Sequence, residues 1–484
     1  MVNRTKVQVL TLVIILAIAC VIGAFGESAK AIVSTPTTSL VWLMGTDQST
    51  YPFSQSEVEA ELNKLSTAAV GVTVETKYLT ADAMRLWLSA ANPYDIAFTS
   101  SWFNDYASQA SAGYFTDLTD KLPAIAPDLY NFIPPLIWQG SNVNGRIYAI
   151  PTLKDNASSQ FWVIDKAKAD ALNIDMSSLT TWDSIEPVLA AAKAAALDTY
   201  PLMLNKSGLS GLTAMFDSFN PDLNIGVPYA NNDSKVVSFL TDNDFLQRLT
   251  TLHEWYAKGY INPDAATLDL PPDDTVVTSA QGYPGADAIW AAQQGHAVVS
   301  SQYYGPTLST DSVRGSMTAI SASSENIDKA LEYLQYANLN HEYRDMLAYG
   351  IEGVHYWIND QGTVERVNRD YAPWSFSQAT FYTMTPMFPA PKDIAESYKE
   401  MNDTAIATNA LGFAFDTTSV DEQVTACTIL MREAAPALFT GTADPAVAVP
   451  KLLDDLNAAG YQEIIAECQR QLDAFLAANP AQTN

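Results

Sequence analysis

The sequence predicts an α/β protein of two domains, each a mostly parallel sheet flanked by helices, with a helix-rich C-terminal part. Three observations lead there. Strand and helix patterns alternate from about residue 39 to residue 98, which is the signature of βαβ units. The same style recurs in the middle of the chain. The length of 484 residues is more than one hydrophobic core fills.

The elements follow in order. Residues 39–44 (SLVWLM) form a short apolar run before Gly45-Thr46-Asp47, and read as a buried strand ending in a polar loop. Ser54 and Glu57 have capping-box spacing, and Val58, Leu62, Leu65 and Ala69 recur at helical spacing after them. Residues 70–79 alternate, with Val70, Val72 and Val74 on one face, as in a strand. A helix pattern follows near residues 84–90, and Asp95-Ile96-Ala97-Phe98 reads as another buried strand. Thr181-Trp182-Asp183 opens a helix through the Ala-rich stretch to about residue 197. Residues 205–232 and 264–274, rich in turn-forming types, read as loops. Ser324 precedes a helix carrying Ile327, Leu331 and Leu334. Asp444-Pro445 is a cap with proline at the first helical position, Gly460 ends that helix, and Ile464, Cys468, Leu472 and Phe475 line the next. In a parallel sheet ligands sit beyond the carboxyl ends of the strands, so the loops at 45–51 and 99–106 become candidates on geometry alone.

Charge narrows the partners. With 26 basic and 54 acidic residues the formal net charge is −28. Such a field repels nucleic acid and disfavours docking of the protein body on anionic lipid. Residues 1–31 read as an export signal: Arg4 and Lys6, an apolar run over residues 7–26, then Ala29-Lys30-Ala31 as a cleavage site. Two alternatives stand beside it. Leu16-Ala17-Ile18-Ala19-Cys20 has the form of a lipobox, with Cys20 the lipidated residue, and the apolar run approaches the length of an uncleaved anchor. Each places the rest of the chain outside the cytoplasm. Cys427 and Cys468 read either as a disulfide or as two buried small hydrophobes.

Catalytic signatures are missing from the sequence. His253, His296, His341 and His355 have no metal-ligand spacing, and no GxSxG, SxxK or Walker A motif occurs. The expectation is a protein that is not an enzyme and needs no cofactor.

Six segments in order carry a family resemblance: Pro93-Tyr94-Asp95-Ile96-Ala97-Phe98, Val143-Asn144-Gly145-Arg146-Ile147-Tyr148-Ala149-Ile150-Pro151, Thr181-Trp182-Asp183, Gly315-Ser316-Met317-Thr318-Ala319-Ile320-Ser321, Tyr349-Gly350-Ile351-Glu352-Gly353-Val354-His355-Tyr356, and Leu411-Gly412-Phe413-Ala414-Phe415-Asp416. From about residue 39 onward the chain resembles the bacterial extracellular solute-binding proteins of ABC importers. Its layout is maltose-binding-protein-like, and it is closer to a lipoprotein-like branch with a helical C-terminal domain. The stretch between Val298 and Gly315 is shorter than in the relatives this resemblance suggests.

The resemblance implies a two-lobed periplasmic-binding-protein-like fold, with one lobe of residues 36–152 plus 293–322 and another of 153–292 plus 323–484, and a ligand cleft between them. It implies capture of a carbohydrate, an oligosaccharide by expectation, by hinge closure of a monomer that then docks on a membrane permease. A peptide ligand, or a sensor or adhesin of the same fold, is the alternative. A sugar site wants aromatic platforms beside carboxylates and amides. By position the resemblance points to Asp47, Asp155, Tyr303 and Tyr304. Trp102 and Asp105 lie in the second strand-end loop, and Glu352 and Trp374 are added from the C-terminal part. Trp138, Trp162, Trp255 and Trp290 read as core, and Trp182 as a packing anchor.

Overall fold

The computed structural model describes residues 37–47, 52–197, 200–231, 233–270 and 275–479. Residues 1–31, read as an export signal, and Cys20 within them lie outside these residues, as do positions 48–51 of the first candidate loop.

The first sheet has the order β2-β1-β3-β11-β4, from strands Thr38–Gly45 (β1), Val72–Leu79 (β2), Ile96–Thr99 (β3), Ala149–Pro151 (β4) and Met317–Ile320 (β11). β1 and β3 run parallel, with Trp42 opposite Ile96, whereas β11 is antiparallel to both β3 and β4. β3, β4 and β11 are buried along their whole length, which their unbroken apolar runs require. β2 keeps the expected alternation, but Val70 ends the preceding helix Gln55–Val70 and the left-handed Gly71 (φ 69°) separates helix from strand. Ser54 makes no side-chain cap to that helix, so the capping box read from its spacing does not form. Thr80 does cap its helix, accepting from the Ala83 amide at 3.3 Å.

The second sheet has the order β14-β10-β5-β9, from Ser158–Asp165 (β5), Val277–Gly282 (β9), Val298–Leu308 (β10) and Ile406–Ala407 (β14). β5 is antiparallel to both β9 and β10; β14 is parallel to β10. Both sheets are therefore mixed rather than mostly parallel. The chain passes between them three times: from β4 to β5, from β10 to β11, and after the helix His341–Tyr349 to β14. β11, entering on a return crossing, runs against both its neighbours, whereas β14 runs with β10, and a locally buried strand reads the same in either direction.

Two stretches sit elsewhere than the expected lobes put them. β10 is hydrogen-bonded to β5, so Val298–Leu308 belongs to the second sheet and not with residues 293–322 of the first lobe. The helices Ile327–Leu339 and His341–Tyr349 pack on Gln55–Val70 beside the first sheet, not with the C-terminal part. The loop expected over 205–232 holds Phe216–Asn220 (β6) and Ile225–Pro228 (β7), which join Val237–Ser238 (β8) in a small antiparallel sheet.

The last three helices, Asp421–Phe439, Pro445–Ala458 and Tyr461–Ala478, share one core with the second sheet, where Cys427, Leu456 and Leu472 join Trp162 and Trp255. Asp444 caps the middle helix, accepting from the Ala446 amide at 2.9 Å. Cys427 and Cys468 are free and buried, which decides between the two readings of this pair. Trp138, Trp162, Trp182, Trp255 and Trp290 are all buried as expected.

Asp95, in one of the resemblance motifs, proves structural. Its buried carboxylate accepts from the Val41 amide at 2.9 Å, Ser324 Oγ at 2.5 Å and Asn326 Nδ2 at 3.2 Å, tying β1 to the turn after β11. Asp95→Ala leaves three donors in need of partners and is expected to cost about 2–4 kcal/mol in a denaturant titration, with ligand affinity unchanged. A loss below half that range would show the turn to be held by other contacts.

Candidate ligand-binding site

The site begins where β3 ends. Ser100 and Phe103 close a tight turn, Phe103 N donating to Ser100 Oγ at 2.8 Å and Ser100 N to the Phe103 carbonyl at 2.9 Å. Asn104 and Asp105 then take left-handed backbone (φ 61° and 28°), which Asn and Asp tolerate better than most residues. The turn drives Trp102 outward. Its ring is 56% exposed, and its Nε1 donates to the Gly315 carbonyl at 2.8 Å. The neighbouring Ser101 amide donates to the Arg314 carbonyl at 2.9 Å, so the loop is pinned twice to the segment entering β11.

Other aromatics complete a wall. Trp374 lies 5.9 Å from Trp102 between ring centres, tilted 57°, and stacks on Phe376 at 5.3 Å and 24°. Phe98 and Phe103 pack behind Trp102 at 6.1 and 5.6 Å. The end of β1 comes in against the same rings. A Cβ at Gly45 would stand 2.8 Å from Phe98 and 3.2 Å from Trp374, so this approach needs glycine. Asp47 follows two residues later and is exposed. Asp47, Trp102 and Trp374 thus come from three chain segments to the carboxyl ends of β1 and β3.

Asp155 sits on the first crossing. Its side chain is 33% exposed and pairs with Lys154 at 3.1 Å. Tyr283, Tyr382 and Tyr398 lie close enough to feel its charge. Burial is the main reason their phenols are held above the usual value, and the Asp155 charge adds to it. Asp105 caps the short helix Tyr106–Ser111, accepting from Ser108 N at 3.3 Å and Ser108 Oγ at 2.5 Å. It also lines a cavity of about 160 Å³ with Ser218, Asp311, Arg314 and Phe413.

Tyr303 does not serve as a ligand wall. It is buried against Trp162, stacked at 4.5 Å, with its hydroxyl 2.9 Å from Ser279 Oγ; burial pushes its phenol up to about 12. The pairing of β10 with β5 slips between Gln302 and Tyr304, and the irregularity breaks the simple alternation that would place Tyr303. Tyr304 is half-buried under the Arg248 guanidinium, 5.6 Å from its ring. Glu352 is exposed in the turn before Tyr356–Ile358, the first strand of a separate hairpin; among the described residues no ring contact, ion pair or hydrogen bond joins it to the Trp102 group.

Sequence reasoning missed Phe98, Phe103 and Phe376, and the three tyrosines around Asp155. Phe103 and Phe376 had a signal: Trp102-Phe103 and Trp374-Ser375-Phe376 each follow Ser or Pro in a loop, whereas Phe98 lies on β3 and reads as core, which it also is. A larger cavity of about 420 Å³ lies between Leu240 and Leu453, but residues such as Leu246, Pro445 and Val449 make its lining overwhelmingly apolar, which suits no polyhydroxylated ligand. Among the described residues no cluster of His, Cys, Asp and Glu is arranged to hold a metal, and no helix is long and apolar enough to cross a membrane.

Comparison with known proteins places this geometry. Residues 409–477 match a family profile described as a domain of unknown function, DUF3502. A carbohydrate ABC transporter substrate-binding protein of Streptococcus pneumoniae serotype 4 is 29% identical over 451 residues, covering 88% of this chain and 89% of the relative. The crystal structure of an N-glycan transport solute binding protein (NgtS) from S. pneumoniae superposes with a TM-score of 0.80 at 26% identity, covering 91% of this chain and 99% of that one. The same pneumococcal protein in complex with Man5GlcNAc gives 0.64 at the same identity, over 92% and 99%. At equal identity, the described residues superpose better on the first of these two structures than on the second.

Proposed function

We propose that this chain, a solute-binding protein of the ABC-importer class, captures an oligosaccharide between its two lobes outside the cytoplasm and delivers it to a membrane permease. The observation that carries the sugar reading is the pair Trp102 and Trp374, two indoles 5.9 Å apart at the strand ends, one of them more than half exposed. An exposed indole face suits the CH face of a pyranose, and the carboxylates of Asp47 and Asp155 suit its hydroxyls. The pneumococcal structure carrying Man5GlcNAc makes a mannose-containing oligosaccharide the ligand to try first.

Each residue then has a role. Trp102, Trp374 and Phe376 form the platform, Asp47 binds hydroxyls at its edge, and Asp155 with Tyr283, Tyr382 and Tyr398 receives a second part of the ligand across the crossing. Tyr304 and Asp105 lie at the margin. Ligand drives closure only through its greater affinity for the closed form. The chain works as a monomer and performs no chemistry; energy comes from an ATPase elsewhere, since the sequence has no nucleotide motif. Export through the leader, with or without a lipid on Cys20, belongs to the same proposal.

A thermal-shift series with Man5GlcNAc, maltooligosaccharides and short peptides tests this. At about 100 times the dissociation constant a ligand adds roughly 2.7 kcal/mol, a rise of several degrees. A rise with an oligosaccharide is expected. A rise with peptides alone would replace the sugar by a peptide.

A further inference from the structure

The segment that carries Trp374 has little regular structure of its own, only the short turn Ser375–Ser377, yet it must hold an indole at a fixed tilt. One side chain meets four of its acceptors. Arg344, on the helix His341–Tyr349, is completely buried. Its Nε donates to the Thr380 carbonyl at 2.7 Å, one terminal nitrogen to Gln378 Oε1 at 3.1 Å, and the other to the carbonyls of Ser375 at 2.9 Å and Ala379 at 3.0 Å. All four acceptors lie within six residues of Trp374, and the first, Ser375, is its immediate neighbour.

A buried guanidinium normally takes a carboxylate partner. Here, among the described residues, the donors of Arg344 go to carbonyl and amide oxygens instead, although the chain has a large excess of acids. The planar fork is used as a template for an irregular backbone. Gln378 extends it: its Nε2 donates to the Leu347 carbonyl at 2.8 Å, linking the segment back to the Arg344 helix. On the far side Ser316 Oγ and Thr152 Oγ1 donate to the Phe376 carbonyl at 2.6 and 3.2 Å. The platform is clamped between the helix bearing Arg344 and the two crossings.

We propose that Arg344 is a positioning residue of the ligand site: its guanidinium sets where Trp374 stands relative to Trp102, and so sets affinity without touching the ligand. This rests on the reading of the two indoles as the ligand platform. Lysine keeps the charge but provides a single ammonium that cannot bond four divergent acceptors.

The test has two arms. Without ligand, the circular-dichroism difference between wild type and Trp374→Ala defines the signal of the indole pair. Arg344→Lys is expected to abolish most of that signal; an unchanged signal overturns the proposal. With Man5GlcNAc in a calorimeter, Arg344→Lys is expected to weaken binding about tenfold in the wild-type background and less than twofold in the Trp374→Ala background, because its effect passes through that ring. An equal loss in both backgrounds would make Arg344 a general stabiliser and sink the idea. Should Arg344→Lys not fold, Gln378→Met removes one acceptor of the fork and its link to Leu347, with the same expectations in smaller measure. If the wild type binds no oligosaccharide, the sugar reading fails, while the ligand-free arm still decides the role of Arg344.

Discussion

Trp102→Ala is expected to weaken oligosaccharide binding by roughly thirtyfold, about 2 kcal/mol, while the unliganded protein melts within about a degree of wild type. More than half of this ring faces solvent, and its one hydrogen bond runs to a carbonyl, that of Gly315. The folded chain therefore gains little from it. A ligand that covers about 100 Å² of indole gains roughly 2.5 kcal/mol at about 25 cal/mol per Å², and alanine gives most of that up. Calorimetric affinity and the melting curve are read on the same sample. Unchanged affinity with a large drop in melting temperature would make Trp102 a packing residue and remove the platform from the site.

Asp217→Asn is expected to stabilise the protein at pH 8 and to do little at pH 4.5. Burial pushes the Asp217 carboxyl up from 3.8 to about 7; the hydrogen bond from Thr408 opposes the rise and the Asp311 charge adds to it. In the unfolded chain the group releases its proton near pH 4, and in the folded chain near pH 7. Across that window the folded state holds the extra proton, so stability falls as pH rises, and the full cost is present above pH 7. Asparagine is neutral throughout and keeps an oxygen for Thr408 Oγ1, which donates to Asp217 at 2.5 Å. The gain at pH 8 is on the order of a few kcal/mol, seen as a rise of several degrees in melting temperature. An equal difference at both pH values would mean that the carboxyl releases its proton at the same pH in the folded and unfolded chains, so that burial does not penalise its charge.

How much of this was legible beforehand depended on the range of the interaction. β1, β2 and β3 could be read because apolar runs and alternation are local. Strand direction could not, since the return of β11 against β3 is set by a crossing that joins distant segments. β6 and β7 were hidden because Asn220, Pro221 and Asn224 make the turn between them and dominate the composition of the region. At the site, Trp102 was legible as a large ring stranded in a Ser-rich loop. Its meeting with Trp374 was not, because nothing in either loop names the other. Tyr303 was misplaced by positional likeness, which carries no knowledge of an irregularity in the pairing between Gln302 and Tyr304. Arg344 gave no warning, since an arginine on a helix reads as solvated until its partners are seen.

Cys427 and Cys468 are wholly enclosed in the core shared by the C-terminal helices and the second sheet, and burial pushes the Cys468 thiol up to about 12. A chain begun after residue 31, and so lacking Cys20, offers maleimide dyes almost nothing to attack while folded. Fluorophores attached at two introduced surface cysteines, one on each half, would report opening and shutting by energy transfer against a silent background, with both natural thiols left in place.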